Sequence, residues 1–174
     1  MEYMEMIFQH VPWGEVGRLV REELRPRPVQ VLSSRFYDPE TGKELEYEDA
    51  DWDTCISHRG TGHIFLKALD VGMTLERALI LVSRDGKWGE VTLHVEQTQF
   101  ALRQEGELRE LLRRLEEIRR RRDAGRVLLG YEPAEDRDMS ILAFGEDGLD
   151  LFEDVRFSTP EAGLLRQTGR ELFG

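Results

Sequence analysis

Two alternating segments joined by a tight turn constrain the fold of this chain more than any other feature of its sequence. They span residues 77–83 and 90–97, and the residues between them, RDGKWG, include an Asp-Gly pair suited to the positive dihedral angles of a hairpin turn. In the second segment Val91, Leu93 and Val95 alternate with polar residues, which is typical of a strand with one buried face. The pattern predicts a β-hairpin within an antiparallel sheet.

The remaining elements surround this hairpin in an order that argues against a doubly wound parallel sheet. Apolar residues at helical spacing predict helices at about residues 13–25, 105–124 and 160–172. Extended segments between them give the order β-α-β-β-β-β-β-α-β-β-β-α, with about eight or nine strands in all. Because helices and strands do not alternate regularly, we predict an α+β fold in which the three helices pack on one antiparallel or mixed sheet.

Residues at the predicted helix ends support these bounds. Pro26 and Pro28 end the first helix, since proline cannot continue it. Gly125 is placed to cap the second helix at its C-terminus. Thr159 and Pro160 give the third helix a hydroxyl at the N-cap and a proline at its first position.

Composition fits a single domain that occupies residues 1–174. With 40% apolar residues, the chain can bury a core without a disulfide or a structural metal. Cys55 is the single cysteine, which suits a reducing compartment. No apolar run approaches the roughly 18 residues needed to cross a bilayer, and the first residues are acidic where a signal peptide is basic. We therefore expect a cytoplasmic protein with no membrane partner.

A net charge of −11 limits the classes of partner. Nucleic acids are bound by neutralising their phosphates, so an acidic domain disfavours nucleic acid and favours a basic protein. The helix at 105–124 is locally basic, but its glutamates precede arginines at the i, i+4 spacing of stabilising ion pairs. These pairs are Glu105–Arg109, Glu110–Arg114, Glu116–Arg120 and Glu117–Arg121. We predict a solvated structural face, with contact to an anion or a partner as the alternative.

Residues 49–63 contain the densest group of side chains that could bind a metal. Asp51, Asp53, His58 and His63 are close in sequence, but they match neither the paired spacing of zinc motifs nor the EF-hand pattern. The chain also contains no Gly-x-Ser-x-Gly elbow and no phosphate-binding loop motif. We therefore predict no cofactor and no catalysis, and keep a metal-dependent hydrolase built on these four residues as an alternative.

The segment after the basic helix is the most distinctive part of the sequence. A short strand ends in GYEPA, at residues 130–134, and an acidic loop then leads into a strand with a Gly-containing turn. Together with the leucine-rich helix before it, this succession resembles small bacterial α+β proteins, some of which are immunity proteins that neutralise toxins in bacterial competition. The resemblance covers the second half of the chain. It implies a protein that binds and blocks a toxin.

Three features of the chain also favour a protein that binds and blocks a toxin: its acidity, its one-domain size and the lack of an active-site motif. We predict a non-catalytic intracellular binding protein, an immunity protein that captures a basic toxin through an acidic surface. The residues predicted to contact the partner are acids and two aromatic anchors, namely Asp49, Asp51, Asp53, Glu132, Glu135, Asp136, Asp138, Trp52 and Tyr131. A homo-oligomeric structural or adaptor protein, such as a homodimer, is the remaining alternative.

Overall fold

The computed structural model of the protein describes residues 2–24, 31–38, 42–46, 62–153 and 159–174. The strands within these ranges are β1 Tyr3–Pro12, β2 Val31–Asp38, β3 Lys43–Glu46, β4 Gly62–Asp70, β5 Thr74–Asp85, β6 Trp88–Glu96, β7 Arg126–Tyr131, β8 Ser140–Gly145 and β9 Gly148–Leu151. The helices are α1 Trp13–Arg18, which continues as a π-helix over Leu19–Leu24, α2 Thr98–Ala101, α3 Glu105–Arg121 and α4 Pro160–Phe173. The predicted α+β class is confirmed, and the short helix α2 is an addition that the sequence pattern does not indicate.

The strands of the described chain form one nine-stranded sheet in the order β3-β2-β4-β5-β6-β1-β7-β8-β9. Every neighbouring pair is antiparallel, which decides between the two kinds of sheet that the sequence allows. The predicted hairpin is β5–β6, where Asp85 pairs with Trp88 and Gly86 has a φ of 61°. The N-terminal strand β1 lies between β6 and β7, so the two halves of the chain meet on it.

The two faces of the sheet differ in composition. On one face, alternate residues of β1 such as Met4, Met6 and Phe8 are buried in a core shared with α1, α3 and α4. The helix α3 contributes an apolar stripe to this core, consisting of Leu108, Leu111, Leu112, Leu115 and Ile118. On the opposite face, which we call the open face, β1 and β6 carry mostly polar residues, including Tyr3, Glu5, Gln9, Glu90, Thr92 and His94.

The C-terminus of α3 corrects one prediction. Gly125 does not cap the helix, because the left-handed conformation belongs to Asp123, with a φ of 56°. The N–H of Ala124 donates to the carbonyl of Arg119 at 3.0 Å, and the N–H of Asp123 donates to the carbonyl of Arg120 at 3.3 Å. These are the two hydrogen bonds of a Schellman cap. Asp tolerates the left-handed conformation better than most residues, so glycine is not required here.

The other described helix ends agree with the sequence. The hydroxyl of Thr159 accepts a hydrogen bond from the N–H of Ala162 at 3.2 Å, and Pro160 lies in the first turn of α4. The first helix begins at Trp13, as predicted, and the prolines predicted to end it lie outside the described residues. None of the described helices combines the length and the apolar character needed to span a membrane.

A buried carboxylate connects the first helical segment to the long helix. The side chain of Glu23 is 2% exposed and accepts hydrogen bonds from Arg114 at 2.9 Å, Arg121 at 2.9 Å and Arg122 at 3.0 Å. Burial by itself raises the pKa of a carboxyl group, but the hydrogen bonds and charges of the three arginines outweigh it and hold the pKa of Glu23 below its ordinary value. We call these four residues the Glu23 cluster.

The Arg-rich face of α3 is therefore only partly the solvated surface that its sequence predicts. Three of the four predicted pairs form, at Glu105–Arg109, Glu116–Arg120 and Glu117–Arg121. Arg114 contacts Glu23 and Glu117 in place of its predicted partner. Arg119 and Arg122 are buried, and both guanidinium groups are hydrogen-bonded. Arg119 donates to Glu116 of its own helix and to the carbonyl of Ala124, whereas Arg122 donates to Glu22 and Glu23 of the first helical segment.

Candidate partner-binding surface

The predicted contact residues fall into two segments, of which the structure describes one. Lying outside the described residues are Asp49, Asp51, Trp52, Asp53 and, from the alternative metal site, His58. The role of these residues in partner binding therefore remains a prediction. The alternative metal site also remains a prediction, because only His63 in β4 is described. The other predicted acids follow β7 and are all exposed, namely Glu132, Glu135, Asp136 and Asp138.

The segment that carries these acids, residues 132–139, folds back onto the open face, and we call it the acidic loop. Ala134 is fully buried, and with Ile7 of β1 it belongs to a small apolar cluster on this face. The N–H of Ala134 donates to the carboxylate of Glu5 at 2.9 Å, and its carbonyl accepts from the hydroxyl of Ser140 at 2.7 Å. The backbone of the acidic loop is thus fastened to β1 and β8 while its acidic side chains stay exposed.

Strands β1 and β6 bring further ionisable groups to the same place. Glu5 and His94 are paired in the register of the two strands. The Nε2 atom of His94 lies 3.2 Å from the carboxylate of Glu132, and its ring stacks on that of Tyr3 with centroids 4.3 Å apart. We call the group formed by Glu5, Glu90, His94, Glu132 and Glu135 the acidic face.

The carboxyl groups of the acidic face influence one another. Burial, and then the nearby carboxylates of Glu135 and Glu5, raise the pKa of Glu90 from 4.5 to about 7. Near neutral pH, Glu90 therefore holds its proton for much of the time. A cation that approaches this surface favours release of the proton, so the acidic face can gain negative charge as it binds a basic group.

Tyr131 does not lie where an aromatic anchor would have to be, which corrects its predicted role. Its side chain is 2% exposed, because alternation in β7 places it with Val127 and Leu129 in the helix-side core. Its hydroxyl is hydrogen-bonded to the hydroxyl of Thr159 and lies 3.5 Å from a carboxylate oxygen of Glu161. Burial raises the pKa of Tyr131 to about 12.

Three members of the acidic face, Glu5, Glu90 and His94, are absent from the sequence-based prediction. One signal for them exists, because the alternation of β6 already places Glu90 and His94 on a polar face. Their approach to Glu5 depends on the pairing of β1 with β6, which joins segments far apart in the sequence. Local patterns therefore identify the polar strand without identifying its neighbour.

Glu5, His94 and Glu132 are also a group within the described residues that could hold a metal ion. One ligand atom of each lies within 4.8 Å of the others. An imidazole and two carboxylates suit a divalent ion such as zinc. The same side chains already have partners within the protein, since Glu5 accepts the N–H of Ala134 and Glu132 contacts His94. These contacts hold the acidic loop on the sheet.

The sequence matches a protein-family model over most of its length. The model of the PABL017 Cdi1I immunity protein covers residues 2–146. The chain belongs to this family. The predicted toxin-immunity type is thereby confirmed, and the match includes β1 and the first helix, well beyond the half of the chain on which the resemblance rested.

A solved structure resembles this Cdi1I-family protein in fold. It is a chain from the crystal structure of the toxic C-terminal tip of CdiA from Pseudomonas aeruginosa in complex with immune protein. The similarity covers 82% of the present chain and 94% of that chain, with a TM-score of 0.61 and 16% sequence identity. At this identity the likeness concerns the fold alone. No curated protein sequence matches the chain.

Proposed function

We propose that this Cdi1I-family protein neutralises a toxin by binding it directly, without catalysis, through the acidic face and the acidic loop. Family membership supports the immunity function. One observation carries the choice of surface: a loop with exposed carboxylates is fastened by its backbone to a sheet face that already bears Glu5 and Glu90. Such a surface is acidic and preorganised, which reduces the entropy lost on binding.

A basic protein is the partner that fits this surface. Opposite charges across an interface speed association and disfavour acidic competitors. The net charge of −11 extends this preference over longer distances and repels nucleic acid. The structural relative comes from a complex between the toxic tip of CdiA and an immune protein, which supports a toxin as the partner. We expect the two proteins to meet in the cytoplasm, where a single cysteine stays reduced.

Coexpression with a toxin tests the immunity function. Each reading frame that neighbours this gene is expressed in bacteria with and without the chain, growth is recorded, and a frame that inhibits growth is taken as the toxin. We expect the wild-type chain to restore growth and to copurify with the toxin. Failure of both rescue and copurification contradicts the proposal.

The homo-oligomeric alternative makes a different prediction for the same purified proteins. A direct inhibitor forms a mixed complex with the toxin, whereas an adaptor that acts by self-association forms assemblies of its own. Sedimentation velocity of the chain alone and with the toxin separates the two. We expect a new, heavier species only when both proteins are present.

A further inference from the structure

A cavity of about 440 Å³ lies beside the acidic face, where the central strands meet the end of α3. It is lined by His10, Trp88, Asp123, Gly125, Arg126, Glu146 and Asp147. Five segments supply these residues: the irregular part of β1, the start of β6, the connection from α3 to β7, the first residue of β7, and the turn between β8 and β9. Neither the immunity function nor the acidic face accounts for this arrangement.

Backbone hydrogen bonds hold the walls of this cavity together. The N–H of Gly125 donates to the carbonyl of Gln9 at 3.0 Å, and its own carbonyl accepts from the N–H of Glu146 at 3.1 Å. A Cβ atom on Gly125 would lie 3.1 Å from Cβ of His10, and one on Gly145 would lie 2.3 Å from the carbonyl oxygen of Gly125. The segments thus approach as closely as glycine allows, and the cavity exists before a partner binds.

The side chains around the cavity suit a positively charged group. Within the described residues Trp88 is one of two large hydrophobic side chains that are exposed, at 40%. The carboxylates of Asp123, Glu146 and Asp147 are exposed around the same space, and Arg126 is the one cation among the described residues that line it. An indole ring beside carboxylates is a combination that binds guanidinium and ammonium groups, by cation–π attraction and by charge-assisted hydrogen bonds.

Two contacts connect the cavity to the acidic face and to cation binding. The side chain of Gln9 bridges them, because its amide donates to Glu135 at 3.4 Å while its carbonyl oxygen accepts from Nε of Arg126 at 2.5 Å. The ammonium group of Lys87, which does not line the cavity, lies 5.4 Å from the centre of the Trp88 ring. The ring thus already makes one cation contact within the chain, and through Gln9 the cavity is continuous with the surface proposed above.

We propose that this cavity receives one basic side chain, arginine or lysine, of the neutralised toxin. The inference rests on the proposed immunity function and adds to it a specific binding site within the interface. We call the cavity, together with the side chains that line it, the socket. The guest side chain lies against Trp88, and its charge is balanced by Asp123, Glu146 and Asp147. A well-packed aromatic residue of this kind is a frequent hot spot, surrounded by groups that exclude water.

Calorimetric titration with an inactivated form of the toxin identified by coexpression tests this socket. Two variants alter it independently: Trp88→Ala removes the ring, and Glu146→Gln/Asp147→Asn removes two charges from exposed side chains. We expect each to raise the Kd at least about tenfold. Alanine substitution of each basic toxin residue in turn should identify one whose effect is not additive with Trp88→Ala, which is the signature of a direct contact.

Matched controls come from the opposite side of the sheet. Leu102→Ala removes the other large hydrophobic side chain that is exposed among the described residues, and Glu105→Gln/Glu110→Gln removes two exposed charges from α3. Both should leave the Kd within about threefold of wild type. Circular dichroism establishes that each variant is folded. If Trp88→Ala does not fold, the effect of Glu146→Gln/Asp147→Asn on the Kd still tests the socket.

The outcomes separate this inference from the function on which it rests. If folded socket variants bind the toxin as tightly as wild type, or if every basic toxin residue is additive with Trp88→Ala, the socket is refuted and the immunity function stands. If the wild-type chain itself neither binds nor neutralises the toxin, the proposed function is refuted as well.

Discussion

At the residue scale, Glu23 is a charged side chain whose loss should destabilise the fold strongly. Glu23→Gln leaves Arg122, which is 6% exposed, without its buried carboxylate partner. Removing one member of a buried ion pair costs about 3 to 5 kcal/mol, so we expect a loss of about 3 kcal/mol in urea unfolding. Glu22→Gln removes a half-exposed partner of the same arginine and should cost less than about 1 kcal/mol.

The stabilisation by Glu23 should also depend on pH. Because the pKa of Glu23 is lower in the folded chain than its ordinary value of 4.5, its contribution is complete above that pH and is lost as the pH falls below it. The stability difference between wild type and Glu23→Gln should therefore shrink in acid. A difference that stays constant down to about pH 3 would rule out the lowered pKa.

Glu90 has the opposite pH dependence. Since its pKa is raised from 4.5 to about 7, the folded chain holds a proton that the unfolded chain releases, and stability falls as the pH rises between these values. Glu90→Gln should flatten this dependence and stabilise the protein by roughly 1 to 2 kcal/mol at about pH 8, allowing for solvent screening. Glu96→Gln, from the same strand and face, should leave the dependence in place. If the stability of Glu90→Gln depends on pH in the same way as that of wild type, the carboxylates of the acidic face do not raise the pKa of Glu90.

At the element scale, α4 contains two glycines with contrasting surroundings. A Cβ atom on Gly163 meets nothing within 4 Å, whereas one on Gly169 lies 2.8 Å from Cδ1 of Leu142 on β8. Alanine at an open helix position stabilises by about 0.5 to 1 kcal/mol. Gly163→Ala should raise the Tm by about 1 to 4 °C, and Gly169→Ala should raise it by less or lower it. Equal gains in thermal unfolding would mean that α4 does not pack closely on β8.

Some helices and strands can be predicted from the sequence, and the position of others cannot. The helix α3 and the β5–β6 hairpin are recognisable because their periodicity and turn residues are local signals. The central position of β1 is not, because it depends on pairing with β6 and β7, which lie far along the chain. The acidic loop combines both cases: its acids and turn residues are local, but the bond from Ala134 to Glu5 spans 129 residues.

Some residue-level predictions are limited by the same cause. Gly125 is a reasonable helix cap by its type, yet its N–H bonds to β1, and Asp123 takes the left-handed position instead. Tyr131 is a reasonable surface anchor by its type, yet strand alternation turns it into the core. In both cases tertiary contacts, which leave no local signal, decide between two roles that the residue type allows.

At the scale of the whole molecule, charge and structure are divided between the two sides of the sheet. On the helix side, arginines and glutamates pair with one another, and the Glu23 cluster joins α1 to α3. On the open side, the carboxylates of the acidic face crowd together, and burial with this crowding raises the pKa of Glu90 to about 7. Charged side chains thus stabilise the fold on the helix side, whereas those on the open side remain available to bind a partner.

The central claim is tested most directly by measuring how tightly two matched triple variants bind the toxin identified by coexpression. Glu132→Gln/Glu135→Gln/Asp136→Asn removes three charges from the acidic loop, and Glu105→Gln/Glu110→Gln/Glu117→Gln removes three from the exposed surface of α3. Measured by calorimetry at equal salt, the first variant should raise the Kd at least about tenfold and the second by less than about threefold. Equal Kd values for the two variants would contradict a contact surface built on the acidic loop.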